Sequence, residues 1–133
     1  MKLWNSNNIE ITSDYVINGN KGLKITVSGS ANFIGPQIDN FTNYAGKILK
    51  FSADISNPNF DVRITFKQYN GSMYTDTQAT TIKRGSSTHA IVSATILDDT
   101  EKLWLRIESI YGEVWPVNGV FYTDNWCLEE ITG

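Results

Sequence analysis

Val117-Asn118-Gly119-Val120-Phe121-Tyr122-Thr123-Asp124-Asn125-Trp126-Cys127-Leu128-Glu129-Glu130 is the stretch whose reading decides the fold. A turn dipeptide opens it and a β-branched and aromatic run follows. A short polar kink then leads into a second apolar–polar alternation. The pattern predicts a closing strand with Phe121, Trp126 and Leu128 inward and Tyr122 and Asp124 on the opposite face. A strand with one wet face implies an antiparallel sheet packed on a partner layer.

Working outward, Lys47 to Ile55 is the cleanest strand, with Leu49, Phe51, Ala53 and Ile55 inward and Lys50, Ser52 and Asp54 outward. Asn57-Pro58-Asn59 turns the chain and Asp61 to Tyr69 returns it. There Val62, Ile64 and Phe66 form the core side, and Arg63, Thr65, Lys67 and Tyr69 lie opposite. So short a polar link predicts antiparallel pairing. Thr88 to Leu97 and Lys102 to Ser109 alternate in the same way, the latter with Leu103, Leu105 and Ile107 inside and Trp104, Arg106 and Glu108 outside. Asn70 to Ser87 is a long polar link that is expected to hold a strand near residues 78–82.

Toward the N-terminus a short strand is expected around Leu3-Trp4, a second over residues 8–12 and a third over Asp14 to Ile17, closed by Asn18-Gly19-Asn20. Gly22 to Val27 alternates cleanly. Ala31 to Phe41 is interrupted by Gly35-Pro36, which predicts an edge strand or bulge. No stretch carries a helical period. The class is therefore all-β, a two-sheet antiparallel sandwich, over a single domain of residues 1–133.

The totals limit the function. A length of 133 residues with 41% hydrophobic and 19% charged content suits one globular core. Net charge of −3 with scattered lysines and arginines argues against nucleic acid. No run approaches the roughly 18 apolar residues of a membrane span, so no membrane insertion is expected. The N-terminus turns polar too early for a signal peptide, which suggests an excised module or a chain exported without a classical signal, for example in a virion. The single cysteine, Cys127, excludes an internal disulfide.

Catalysis needs convergent groups, and the chain offers one histidine, one cysteine and no nucleophile, zinc or phosphate-loop motif. The neighbouring carboxylates Asp98/Asp99 and Glu129/Glu130 suit solvated turns better than a glycosidase pair. An enzyme is not expected. Binding a sugar asks for less: aromatic rings for the apolar C–H faces of a pyranose and planar polar side chains for its hydroxyls.

The motifs themselves are similar to a known family. Gly22-Leu23-Lys24-Ile25-Thr26-Val27 followed by Ile34-Gly35-Pro36-Gln37-Ile38 resembles the opening of carbohydrate-binding modules of families 4, 9 and 22. Tyr44 to Ile55 resembles their proline-glycine-lysine strand, and Phe121 to Leu128 their closing aromatic-x-x-Asp-Asp/Asn strand. The resemblance runs over roughly residues 20–131 in order. It implies a galactose-binding-like β-jelly roll, a noncatalytic module that tethers a larger extracellular or virion-associated assembly to a polysaccharide or cell-surface glycan. The family's Asn-Gly-Asp-Phe-Glu opening, which supplies calcium ligands, is absent from residues 5–12. A structural calcium is thus possible but unsupported, although Asp124 is retained, and His89 stands where the family often has Trp.

On this reading Trp104, Tyr69 and Tyr122 stack on sugar rings, while Arg63, Arg106 and Glu108 bond hydroxyls. Lys67 shares their face, if the strands lie in one sheet. The same residues equally suit a scaffold of cross-strand pairs. A second candidate is Trp115 with Tyr111, joined by Tyr74 from the polar link. Trp115 is either an exposed loop anchor or a plug for the sandwich end. The alternative function is a structural module, such as a virion decoration or tail-associated protein, docking another protein through the same face.

Overall fold

In the computed structural model, residues 9–17, 20–39, 42–110 and 113–131 are described, with side chains outside 9–17, 20–22, 42 and 76–78. The strands are β1 (Ile9–Ile17), β2 (Asn20–Val27), β3 (Phe33–Ile34), β4 (Gln37–Asp39), β5 (Ile48–Ser56), β6 (Val62–Tyr69), β7 (Tyr74–Ile82), β8 (Ser87–Thr95), β9 (Lys102–Glu108) and β10 (Val120–Ile131). They form two antiparallel sheets. The first has the order β1-β2-β10-β5-β8; the second runs β3-β9-β6-β7, with β4 also paired to β9.

Alternation seals the two layers. Leu49, Phe51, Ala53 and Ile55 from β5 and Phe121 from β10 meet Val62, Ile64 and Phe66 from β6 and Leu103, Leu105 and Ile107 from β9, all buried. Each large apolar side chain so covered contributes about 1.5–3 kcal/mol. At one side the sheets meet directly, where the Thr80 hydroxyl of β7 donates to the Ile91 carbonyl of β8 at 3.0 Å.

The closing strand β10 keeps its core face on both sides of the kink because of a bulge. Asp124 pairs with Asp54 and Cys127 with Ser52, so one extra residue is inserted. Asn125 absorbs it with φ 54°, a left-handed conformation that Asn tolerates. Thr123 and Trp126 therefore both turn inward, and the Trp126 indole donates to the Thr123 hydroxyl at 2.7 Å.

The N-terminal half is more continuous than the sequence suggests. Of the runs expected over residues 8–12 and 14–17, the described residues belong to one strand, β1 (Ile9–Ile17), with an irregularity between Thr12 and Tyr15. The strand expected around Leu3-Trp4 and the Asn18-Gly19 turn lie outside the described residues. Gly35-Pro36 does split an edge: β3 and β4 lie on either side of it and both pair β9. The strand expected near residues 78–82 extends back to Tyr74. Ser52, Thr65 and Glu108 point outward as expected but are buried. Thr65 stands opposite Arg106 in the register.

Candidate functional site

The outward face of the second sheet is built by register. On β6 and β9, Arg63 stands opposite Glu108, Thr65 opposite Arg106, Lys67 opposite Trp104 and Tyr69 opposite Lys102. On the flanks, Tyr74 of β7 pairs Tyr69, and Gln37 of β4 pairs Trp104. Arg63, Tyr69, Trp104, Arg106 and Glu108 are thus brought onto one face, with Lys67 among them.

Rings run across this face from one sheet edge to the other. Phe33 meets Trp104 edge-on at 4.9 Å between centroids. Trp104 is 5.8 Å from Tyr74, and Tyr74 is 4.6 Å from Tyr69. Such contacts add about 0.5–1.5 kcal/mol each beyond area burial and hold the rings in fixed planes. Trp104 is further fixed by its indole N–H, which donates to the Gly35 carbonyl at 3.2 Å. Gly35 can stand so close to β9 only because it has no side chain. With φ 147°, a Cβ there would fall 1.7 Å from the Leu105 carbonyl oxygen.

Beside the rings lies a charged cluster. Arg63 Nε donates to Glu108 Oε2 at 2.7 Å, and its Nη2 approaches the same oxygen. Arg106 Nε lies 3.2 Å from Glu108 Oε1, near enough for charge attraction but without hydrogen-bond geometry. The Arg106 guanidinium rests on Phe33, 3.9 Å from its centroid, and 4.9 Å from that of Trp104. One carboxylate therefore serves two guanidiniums, each held against neighbours rather than waving in solvent.

Two expected members are elsewhere. Tyr122 lies on β10 between Lys24 of β2 and Ser56 of β5, in the first sheet, so it cannot share a ligand with Trp104. Alternation alone gives the face of a strand but not the sheet to which it belongs. Trp115 is 3% exposed and packs against Phe60 and Phe121 at 5.5 and 5.6 Å, so it closes the sandwich end and is no exposed anchor. Tyr111 lies outside the described residues. Tyr74 belongs to β7 and joins the ring row instead of the Trp115 loop.

The depression beside Trp115, about 410 Å³ and lined in part by Phe60, Asp61 and Val114, is less suited to a ligand. Its Asp61 carboxylate is already engaged by the Arg84 backbone N–H at 2.8 Å and by Lys83 at 3.8 Å. Sequence reasoning missed Phe33 and Gln37. The signal was present, since residues 33, 35 and 37 alternate around the Gly-Pro break.

On the first sheet, His89 is exposed, and its Nδ1 lies 2.6 Å from Asp54 Oδ1; the Asn125 amide donates to Oδ2 at 2.8 Å. Partial burial pushes the Asp54 carboxyl up. The hydrogen bonds from Asn125 and His89, with the positive charge of His89, outweigh that and hold it below the ordinary carboxylate range. Among the described residues no three His, Cys, Asp or Glu side chains converge to hold a metal ion.

No protein-family model matches the chain, and no curated protein matches its sequence. Solved structures do share its fold, and they include carbohydrate-binding modules of families 4, 16 and 22. A family 4 module is 17% identical, with a TM-score of 0.64 over 97% of this chain and 85% of that one. The CBM22-1 xylan-binding domain of Paenibacillus barcinonensis is 14% identical, with a TM-score of 0.62 over 94% and 81%. The enzymatically active domain of tailspike protein 4 of bacteriophage CBA120 contains a similar unit, 10% identical with a TM-score of 0.66, covering 92% of this chain and 18% of that one. The chain thus has the β-sandwich jelly-roll fold of these modules. No helix among the described residues is long and apolar enough to cross a membrane.

Proposed function

We propose that the chain is a noncatalytic carbohydrate-binding module whose ligand, a polysaccharide or cell-surface glycan, lies across β9 and β6. The observation that carries this reading is the ring row from Phe33 through Trp104 and Tyr74 to Tyr69, fixed in place beside planar polar groups. A ring row of this kind matches the repeating apolar faces of a sugar chain, and Arg63, Arg106, Glu108 and Gln37 match its hydroxyls. The structural neighbours support the same reading, since modules of this fold are named for binding carbohydrate. The module's task is to hold a larger extracellular or virion-borne assembly to its glycan.

A glycan array followed by titration of Trp104→Ala tests it. Truncating an aromatic anchor at the centre of a site weakens binding by roughly tenfold or more. Unchanged affinity removes the site, and silence across a broad array removes the function. Tyr122→Ala, on the other sheet, serves as the control and leaves binding intact.

A further inference from the structure

We infer that Asn70-Gly71 is a site of spontaneous covalent modification: Asn70 deamidates through a cyclic imide, and the product unties the β6–β7 hairpin from the turn between β8 and β9. Only the effect on glycan binding rests on the reading of the ring face as a glycan site. The sequence holds three Asn-Gly dipeptides, at residues 18–19, 70–71 and 118–119. A glycine has no side chain to shield its backbone nitrogen, so that nitrogen can reach the carbonyl carbon of the preceding asparagine side chain. Asn18-Gly19 lies outside the described residues. The other two pairs stand in opposite surroundings.

At the hairpin tip Gly71 is exposed and has φ 97°. The N–H groups of Asn70, Ser72 and Met73 have acceptors, whereas that of Gly71 has none among the described residues. Asn70 Oδ1 accepts from the Ser72 and Met73 N–H groups, each at 3.0 Å, as asparagine does in turns. Attack by the Gly71 nitrogen on Asn70 Cγ turns Oδ1 into an oxyanion, and two donors are already aimed at it. A Cβ on Gly71 would run into Glu101 Oε2. A carboxylate thus lies beside the residue whose amide must give up its proton. The new C–N bond closes a succinimide, and the side-chain nitrogen leaves as ammonia, carrying that proton. Water then opens either imide carbonyl, giving aspartate or isoaspartate. At 118–119 the same attack is blocked. The Gly119 N–H donates to the Pro116 carbonyl at 2.9 Å, and Gly119 is buried with the Phe60 ring packed against it.

The consequence follows from charge. Asn70 Nδ2 donates to Asp99 Oδ2 at 3.2 Å, which ties the hairpin to the β8–β9 turn. Aspartate at 70 keeps the two backbone bonds but replaces that donor with a carboxylate facing Asp99, so attraction becomes repulsion. Isoaspartate does the same and also lengthens the main chain within the turn. The contact at risk lies next to the ring row: the Glu101 N–H donates to the Tyr69 carbonyl at 2.7 Å, and Tyr69 pairs with Tyr74 across the hairpin.

Incubation of the whole chain in warm, mildly alkaline buffer, followed by peptide mapping with mass spectrometry and an isoaspartate assay, tests the site. Conversion at Asn70 should be at least about tenfold faster than at Asn118. In urea the two should convert alike, which assigns the difference to the fold. Glu101→Gln should slow the folded-state reaction. Asn70→Asp, which reproduces one product, should speed hydrogen exchange at the Glu101 amide severalfold, and adding Asp99→Asn should restore most of the protection. The aged chain and Asn70→Asp should both bind glycan more weakly than the fresh chain. Conversion at Asn70 that is no faster than at Asn118, or a difference that persists in urea, overturns the assignment of the site. A rate that Glu101→Gln leaves unchanged overturns the part given to that carboxylate. Unmoved exchange in Asn70→Asp overturns the untying while the modification stands. Binding of no glycan by the fresh chain overturns the proposed function and leaves the chemistry at Asn70 intact.

Discussion

The two sheets are built from the same alternation and present opposite kinds of outer surface. Outside β9 and β6, the outward positions hold rings in contact with one another and a largely covered Arg–Glu–Arg cluster. Outside β5, β8 and β10, they hold mostly polar groups, with Asp54 between His89 and Asn125 and open lysine–glutamate pairs such as Lys50–Glu129 at 2.7 Å, beside Tyr122 and the exposed Ile91. Inward positions are nearly interchangeable between the sheets, because a core needs only volume and apolarity. Outward positions have no such common demand, so a face that concentrates rings and partly covered charge differs from its counterpart for a reason other than folding.

The strongest way to break the contrast is at the edge that supports the ring face. Gly35→Ala places a methyl group 1.7 Å from the Leu105 carbonyl oxygen at a φ of 147°. Backbone strain and overpacking together should cost about 4 kcal/mol. Because the Gly35 carbonyl also accepts from Trp104, the near-ultraviolet signal of the tryptophans should change as well. A denaturant melt within 1 kcal/mol or so of the parent chain would mean that β3 and β4 yield easily and do not fix Trp104.

Next in size is the support behind the same sheet. Gln68 is 2% exposed. Its carbonyl accepts from the Leu97 backbone at 2.8 Å and the Thr100 hydroxyl at 2.6 Å, and its amide donates to the Thr95 carbonyl at 3.2 Å. Gln68→Leu keeps the volume and strands all three partners, which should cost about 3 kcal/mol. Hydrogen exchange at Leu97 should accelerate with it. If stability is unchanged, the turn between β8 and β9 is held by its own backbone.

On the opposite sheet the largest single contribution is expected at Asp54. Its folded pKa is depressed, so the stability it brings is present above the unfolded value near 4 and is lost as pH falls through the folded value. Asp54→Asn should therefore cost about 1 kcal/mol at neutral pH and nothing once the parent carboxyl is itself protonated. Urea melts at pH 7 and near pH 2 measure the difference. A cost that persists in acid belongs to shape, not charge.

Much of the layer structure was legible because burial on one face imposes a period of two that the sequence must display. Leu49-Lys50-Phe51 and Leu103-Trp104-Leu105 show it directly. Which strands share a sheet was not legible, since it depends on connections crossing between layers. That is why Tyr122 was grouped with Trp104 although β10 lies between β2 and β5. The Trp115 position was undecided for a related reason: a loop tryptophan is equally at home outside or as a plug, and only Phe60 and Phe121 beneath it settle the matter. Phe33 and Tyr74 entered the ring row through the register of edge strands, information carried by pairing partners far away in sequence.

A last comparison separates the two faces most clearly, because it asks the same question of oppositely charged pairs in unlike surroundings. Arg63 and Glu108 have side chains 21% and 6% exposed; those of Lys50 and Glu129 are 31% and 51% exposed. Covered pairs keep their attraction, whereas open ones are screened and must also hold two flexible chains still. A double-mutant cycle on Arg63 and Glu108 should return a coupling of about 2 kcal/mol that salt hardly changes. The Lys50–Glu129 contact does raise the lysine's pKa, chiefly through its hydrogen bond to Glu129. Even so, the same cycle there should give no coupling above error, in low salt or high. Equal couplings on both faces would mean that the buried cluster behaves as an ordinary surface pair, and the distinction between the faces would rest on the rings alone.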